Sequence, residues 1–309
     1  MSAVIEKPTF MSVKNRGWAL ETPQAKYLID LLPPEIVAKL RLSFLVAGIE
    51  GEEGKELLNY FLKISDFFKM VKDDSTSAKI FENLYHKQPT SNPFDKYFVM
   101  GKSAIGIFQR LLALKANLPS IIKNEISRID MKKNDKFTIF NMGSGPGHDM
   151  IEVLEENQDL RKRVRVVCVD TDKEMLEVGK KRVEKNGLAD LFTFVPEKIG
   201  ESDLDLEKSH LILLIGILCP MSKGFCTRIL RAVNQFSRPD GLVLYSTVRN
   251  EMIEGDPLTD FLMRLAGWKM DYKTEEESLE IAKNANWEPI GHFYDSFKYN
   301  FMVVARKTE

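Results

Sequence analysis

Three glycines fall within five residues, at Gly143, Gly145 and Gly147, in the stretch Phe137-Thr-Ile-Phe-Asn-Met-Gly-Ser-Gly-Pro-Gly-His-Asp149. An apolar, strand-like run enters this stretch and a helix-forming run leaves it. Glycine allows a sharp turn and lets a ligand approach where a Cβ would otherwise stand. The helix N-terminus behind the turn offers free N–H groups and partial positive charge to a carboxylate or phosphate. Asp170 ends the next strand, 23 residues past the last glycine, where an acid can accept hydrogen bonds from ribose hydroxyls. A dinucleotide fingerprint, G-x-G-x-x-G, would need its third glycine at position 148, which is His148; the spacing here is G-x-G-x-G. The plainer reading is a tight strand-to-helix turn beside a solvated aspartate. Three glycines in five residues cost backbone entropy that a bound ligand explains.

The elements that must position these groups change character near residue 135. Before it the periodicity is helical. From Glu52 to Asp73, Leu58, Phe61, Ile64, Phe68 and Val71 recur at three- and four-residue steps, with Leu62 and Phe67 widening the same face. Further helices are predicted at Glu35–Ala47, Ser77–His86, Lys102–Ala116 and Ser120–Asp130. The breaks fall at Pro33-Pro34, Gly48 and Gly51, Asp74-Ser75-Thr76, Pro89 to Pro93, and Pro119. After residue 135, strands at Lys136–Asn141, Val164–Asp170, Leu191–Val195, His210–Gly216 and Leu242–Val248 alternate with helices at His148–Glu156, Lys173–Lys185 and Gly224–Phe236. A helix near Glu276–Ala285 and strands Pro289–Tyr294 and Phe301–Arg306 follow. That alternation predicts an α/β fold with a parallel, doubly wound sheet.

Composition limits the function classes. The 309 residues carry 44 basic and 45 acidic side chains, with 44% apolar and 10% aromatic residues, which excludes wholesale disorder. A pI of about 6.5 argues against a dominant nucleic-acid or membrane-surface field. Three cysteines make no disulfide framework and show no zinc spacing, so no metal site is expected and the thiols read as reduced. The first 30 residues hold acids and prolines and no continuous apolar core, so no signal peptide is expected. The longest apolar run, Leu211–Pro220, is half the roughly 20 residues of a membrane span. The expectation is a soluble cytoplasmic protein.

With these residues in view, the chain resembles the class I S-adenosylmethionine-dependent methyltransferases over roughly residues 130–309. The resemblance rests on Asn-Met-Gly-Ser-Gly-Pro-Gly, on Val-Val-Cys-Val-Asp170, on Phe-Ser-Arg-Pro-Asp-Gly-Leu-Val-Leu, and on the terminal Asn-Trp-Glu-Pro-Ile and Phe-Met-Val-Val-Ala-Arg-Lys. It implies a Rossmann-like, seven-stranded sheet with an antiparallel last strand in residues 131–309, preceded by a helical lid or dimerisation region in residues 1–130. It also implies S-adenosylmethionine as cofactor. Gly143, Ser144, Gly145 and Gly147 would then cradle its methionine end and Asp170 its ribose, with Thr171 and Asp172 nearby. Ile199 would pack on the adenine, with Gly200 and Ile215 also lining the site. Two positions depart from the family pattern. The acid that usually contacts the methionine amine is Asn141 here, and the usual acid near the adenine aligns with Lys198, leaving Glu197 or Glu201 as substitutes.

Methyl transfer from a sulfonium needs reactants held in line, and a base only if the acceptor must lose a proton. After the fourth strand the chain reads Ile215-Gly-Ile-Leu-Cys-Pro-Met-Ser-Lys. It lacks the Asn/Asp-Pro-Pro-Tyr/Phe signature of enzymes that methylate bases or protein amides, and the paired glutamates of protein arginine methyltransferases. The segment from Leu258 to Pro289 resembles small-molecule O-methyltransferases with an N-terminal helical dimerisation domain. Those enzymes often carry a catalytic histidine where Cys219 stands. The expectation is therefore methyl transfer to a small or lipid-like acceptor, at oxygen, mainly by proximity and orientation. The partner would be a small molecule rather than nucleic acid or membrane, with a homodimer through the N-terminal helices as an option. Catalytic candidates are Cys219, His292 and Tyr245; a buried thiol and a packed ring are the plainer readings of the first two, and Tyr245 lies toward the end of the fifth strand, where α/β sheets place ligand contacts. Arg249 could meet an acidic substrate or sit exposed in a loop. His148 could flank the cofactor or simply open a helix, and His210 reads as structural. Phe261, Met263, Trp268, Met270 and Tyr272 are either a hydrophobic lid or a core-facing helix. The rivals are aminopropyl transfer from the same cofactor, as in nicotianamine-synthase-like enzymes, a non-catalytic protein that keeps the fold, and an RNA methyltransferase.

Overall fold

The computed structural model describes residues 16–75, 77–85, 90–199 and 208–308. From residue 137 onward, the apolar runs form one seven-stranded sheet. Its strands are β1 (Phe137–Met142), β2 (Val164–Val169), β3 (Phe192–Val195), β4 (Ser209–Leu214), β5 (Ser237–Val248), β6 (Trp287–Tyr294) and β7 (Asn300–Lys307), in the order β3-β2-β1-β4-β5-β7-β6. The first five pair in parallel, and β7 runs antiparallel between β5 and β6. This is the Rossmann-like arrangement with a reversed last strand. Every residue of β1 and β4 is buried, as expected for strands covered on both faces. The winding reverses between β1 and β4, and α/β sheets of this kind bind ligands outside the carboxyl ends of the strands at that point.

The N-terminal helices are α1 (Pro23–Leu31), α2 (Pro34–Leu42), α3 (Glu52–Ile64), α4 (Asp66–Asp73), α5 (Ala78–Tyr85), α6 (Pro93–Val99) and α7 (Lys102–Arg128). The periodic face from Leu58 to Val71 is interrupted between α3 and α4. Ser65 turns extended there, caps the Phe68 N–H and donates to the buried Asp95 carboxylate at 2.6 Å. Around that turn Phe61, Phe67, Phe68 and Phe98 pack ring on ring, with centroids 5.3–6.3 Å apart. Phe61, Phe68 and Val71 of that face are thus buried inside the chain, with Leu58, Leu62 and Ile64 half-buried.

One expectation needs correction. Pro119 does not end a helix: α7 runs through it as 27 continuous residues. A proline loses one helical hydrogen bond and crowds the preceding turn, but Leu114, Leu118 and Ile122 on either side are all fully buried in the sheet-facing core, which holds the two halves in line. The second half of α7 is a layer of the sheet, beside α8 (His148–Glu156) and α10 (Lys173–Lys185), with the one-turn α9 (Gln158–Arg161) between them. Conversely, the core under the N-terminal helices is completed by α13 (Pro257–Ala266), whose Phe261 meets Phe44 edge-on at 5.3 Å. The opposite face of the sheet is covered by α11 (Lys223–Val233) and α14 (Glu275–Lys283), and α12 (Asn250–Gly255) leads from β5 into α13.

Candidate cofactor and acceptor site

The glycine turn lies across the end of β2. The N–H groups of Gly143 and Ser144 both donate to the Val169 carbonyl, at 2.7 and 3.2 Å. At Gly147, with φ +77°, a Cβ would lie 2.8 Å from the Cys168 sulfur. A Cβ at Gly143 (φ +64°) would collide with the side chain of Ile217 and come within 3.8 Å of Ile199. The backbone therefore takes left-handed conformations in places where no side chain fits. Asp170 braces the turn: one carboxylate oxygen accepts the Gly145 N–H at 2.7 Å and the other the Asp172 N–H at 2.9 Å. Each oxygen keeps further acceptor capacity. Asn141 is buried at the carboxyl end of β1, and its Nδ2 has no hydrogen-bond partner.

The other expected contacts divide. Ile199 stands beside Gly143, while Thr171 is exposed. Ile215 is buried in the core between the sheet and α7, so it backs the cleft rather than facing it. Gly200 and Glu201 lie outside the described residues. Asp172 caps α10 through the Met175 N–H.

The catalytic candidates separate more sharply. Tyr245 is fully buried, its hydroxyl donates to the Ser278 carbonyl at 2.5 Å, and burial raises its pKa, so it serves the core under α14. His292 lies on edge strand β6, against Tyr294 and Phe301, three strands from β4 and away from the glycine turn. Cys219 is 2% exposed, and burial raises its thiol pKa despite the nearby charges of Arg110 and Lys273, so it is a neutral wall. Arg249 is no free loop cation; it pairs with Glu251 and Glu275 and lies over the Tyr294 ring. His210 accepts the Thr138 N–H at 3.0 Å at the amino ends of β1 and β4, away from the glycine turn, a structural role.

A group that sequence reading missed sits over this cleft. Arg110 of α7 is 3% exposed, and both terminal nitrogens lie 3.1 Å from the position a Cβ would take at Gly216, just past β4. Its guanidinium donates to the Tyr85 hydroxyl at 2.8 Å, and the Tyr85 ring stacks on His148, 4.7 Å between centroids and 4° from parallel. Arg182 and Glu152 hold His148 from the other side. Burial would discharge Arg110, but Tyr85, Cys219 and Asp149 keep its pKa above the usual arginine value. The sequence did contain a signal. Arg110 shares a helical face with Ile107, Leu111 and Leu114, a lone cation in an apolar stripe.

Beyond Arg110 lies an apolar cavity of about 40 Å³ between α5, α7, α13 and the segment after it, with Ile107, Leu84, Met252, Met263, Trp268 and Met270 on its walls. Its few polar groups include Asp260 and Tyr272. The Tyr272 hydroxyl donates to one oxygen of Asp260, and Arg264 holds the other at 2.7 Å. Burial raises both the Asp260 and the Tyr272 pKa, Arg264 pulling each partly back. The buried Lys273 ammonium, bonded to the Met221 and Asp271 carbonyls, ties this segment to the loop after β4. Phe261 serves the core, and Met263, Trp268, Met270 and Tyr272 form the wall, so the segment acts as both core helix and cover.

A methyltransferase-domain family matches residues 133–290, just over half of the chain, and the chain belongs to that family. The small-subunit ribosomal RNA methyltransferase of Arabidopsis thaliana mitochondria is 32% identical over 95 residues, 31% of this chain and 22% of that protein's length. A possible exported protein from Bordetella parapertussis superposes over the full length of both chains, at 14% identity and a TM-score of 0.59. Magnesium protoporphyrin IX methyltransferase from Synechocystis, solved with S-adenosylmethionine bound, covers 79% of this chain and 98% of its own, at 10% identity and a TM-score of 0.52. At these identities the structures carry the fold alone. Fold and family together define a methyltransferase domain with the class I sheet order, a class whose cofactor is S-adenosylmethionine. The residues present suit that cofactor. The turn leaves open backbone where a Cβ cannot stand, Asp170 has spare acceptor capacity for a diol, and Asn141 holds an unused buried donor at the switch point.

Proposed function

We propose that this enzyme methylates a small, largely apolar acceptor at oxygen, with the acceptor held in the cavity between α7 and α13. The observation that carries this reading is the apolar lining of that cavity, which carries one buried Tyr272–Asp260 pair and lies one helical turn along α7 from Arg110. A concave apolar site with a few placed polar groups is the usual form of a small-molecule pocket. When bound, the cofactor supplies an electrophilic methyl group on sulfonium, whose leaving group is a neutral thioether.

Gly143, Ser144, Gly145 and Gly147 would hold its methionine end, Asp170 the ribose and Ile199 the ring. The chain's remaining work is to exclude water, align the acceptor and take its proton. Tyr272 can accept a hydrogen bond from the acceptor hydroxyl while donating its own proton to Asp260, so the acceptor proton passes to a carboxylate made more basic by burial. At about 40 Å³ the cavity holds a few waters at most, so α5 and α13 must part to admit an acceptor.

The test is transfer from methyl-labelled S-adenosylmethionine to a panel of phenols, hydroxylated polyketide-like compounds, lipids and RNA. Label in a solvent-extractable ether, with S-adenosylhomocysteine as co-product, is the expected result. Label retained on RNA, or release of methylthioadenosine, overturns the reading.

A further inference from the structure

Among the described residues, three of the buried side-chain atoms without a hydrogen-bond partner gather around the carboxyl ends of β1 and β4: Asn141 Nδ2, Arg110 Nε and Asp149 Oδ1. Asn141 is 2% exposed and Arg110 3%. They come from three separate elements, β1, α7 and the first turn of α8. Arg110 and Asp149 lie close enough for each to shift the other's charge, Asp149 being raised by burial and pulled back first by Arg110. Yet no ion pair joins the two. A buried cation and a half-buried carboxylate with one buried oxygen that lie near each other without closing leave charges of both signs unmatched between them.

The open valences have a pattern. Arg110 Nε and Asn141 Nδ2 can only donate, and Asp149 Oδ1, when ionised, can only accept. That set complements an amino-acid zwitterion, whose carboxylate needs donors and whose ammonium needs an acceptor with negative charge. Asn141 carries no charge, so the ammonium's counter-charge must come from elsewhere. Asp149 is the orphaned carboxylate beside the turn.

We infer that Asp149 receives the ammonium, and Arg110 with Asn141 the carboxylate, of the methionyl end of S-adenosylmethionine. Arg110 is a fixture of the N-terminal helices, held by Tyr85 on α5, so the cofactor's amino-acid end is gripped from both parts of the chain at once. Binding would therefore seat α5 and α7 against the sheet before an acceptor enters. The inference rests on the cofactor and not on the acceptor class proposed above.

The test is calorimetric titration of the full chain, which needs no acceptor. The probes are S-adenosylhomocysteine, its decarboxylated and N-acetylated derivatives, and methylthioadenosine, which lacks the amino-acid end. Wild-type protein is expected to bind both derivatives at least tenfold more weakly than S-adenosylhomocysteine. Arg110→Gln and Asp149→Asn should each weaken S-adenosylhomocysteine tenfold or more and leave methylthioadenosine within about twofold. Asn141→Asp, which sets a negative charge where the ligand carboxylate needs a donor, should likewise weaken S-adenosylhomocysteine tenfold or more and spare methylthioadenosine. Wild-type protein that binds the N-acetylated and decarboxylated compounds as tightly as the parent overturns the assignment without any variant. So do variants that weaken both ligands equally, since that marks a merely structural role. Failure to find a methyl acceptor would bear on the proposed function and leave these titrations intact.

Discussion

The Gly145 N–H donates to Asp170 at 2.7 Å, so the acid at the end of β2 and the glycine turn at the end of β1 form one unit. The same carboxylate ties down Asp172, which in turn caps α10. The acid proposed to meet ribose hydroxyls thus also shapes the glycine turn.

Asp170→Ala should therefore lose more than one ribose contact. Hydrogen bonds to a charged group are worth about 1.5–3 kcal/mol each, so S-adenosylhomocysteine should bind about 10- to 100-fold more weakly, with methylthioadenosine affected equally. Asp170→Asn should retain part of the affinity. Isothermal titration checks both; full affinity in the alanine variant would remove Asp170 from the site.

Gly147→Ala combines left-handed backbone with a Cβ placed 2.8 Å from the Cys168 sulfur. Left-handed strain and overpacking together should cost about 2–4 kcal/mol, read by urea unfolding. Cys168→Ala in the same chain should recover part of that cost, a coupling that a double-mutant cycle would show. Purely additive effects would mean that the clash is not the cause.

If Tyr272 and Asp260 move the acceptor's proton, Tyr272→Phe and Asp260→Asn should lower kcat by about 10²–10⁴ without changing cofactor affinity. Asp260 works as a base only when ionised, and burial lifts its pKa above the ordinary carboxylate range. The rate should therefore rise with pH through that raised value and fall below it. An unchanged rate in both variants would leave proximity as the whole mechanism.

Glu125 ties α7 to the sheet through Arg306 of β7 and pairs with Arg128 one turn along its own helix. Burial alone would raise its pKa, but hydrogen bonds from Arg306 and Arg128 outweigh that and hold it at about 2, against 4.5 when unpaired. The unfolded chain then binds the extra proton, so this stability is present above pH 4.5 and lost as pH falls toward 2. Its size is up to about 3 kcal/mol. Glu125→Gln should flatten the acid limb of stability measured by denaturant unfolding at pH 3 to 6; an unaltered slope would show that the cluster contributes nothing.

The sheet, the glycine turn and Asp170 were legible in the chain because each is local. A buried strand writes itself as an apolar run, and a turn that forbids a Cβ writes itself as glycine. The break expected at Pro119 was not real, because a proline's local cost is outweighed when Leu118 and Ile122 pack against a sheet formed much later in the chain. The catalytic candidates misled for a related reason. Tyr245, His292 and Cys219 carry reactive atoms, but which way those atoms face depends on α14, the sheet edge and the segment near Tyr272. Asp260 and Arg110 read as helix residues in sequence. Only the packing of α7 and α13 around the carboxyl ends of the strands strips them of water and leaves Arg110 beside Asp149. Residue type and spacing therefore determined the glycine turn proposed as the cofactor's cradle, where a few neighbouring residues suffice. The charges over that cradle and the cavity beside it were decided by tertiary structure, because burial and the meeting of distant side chains belong to no single stretch of chain.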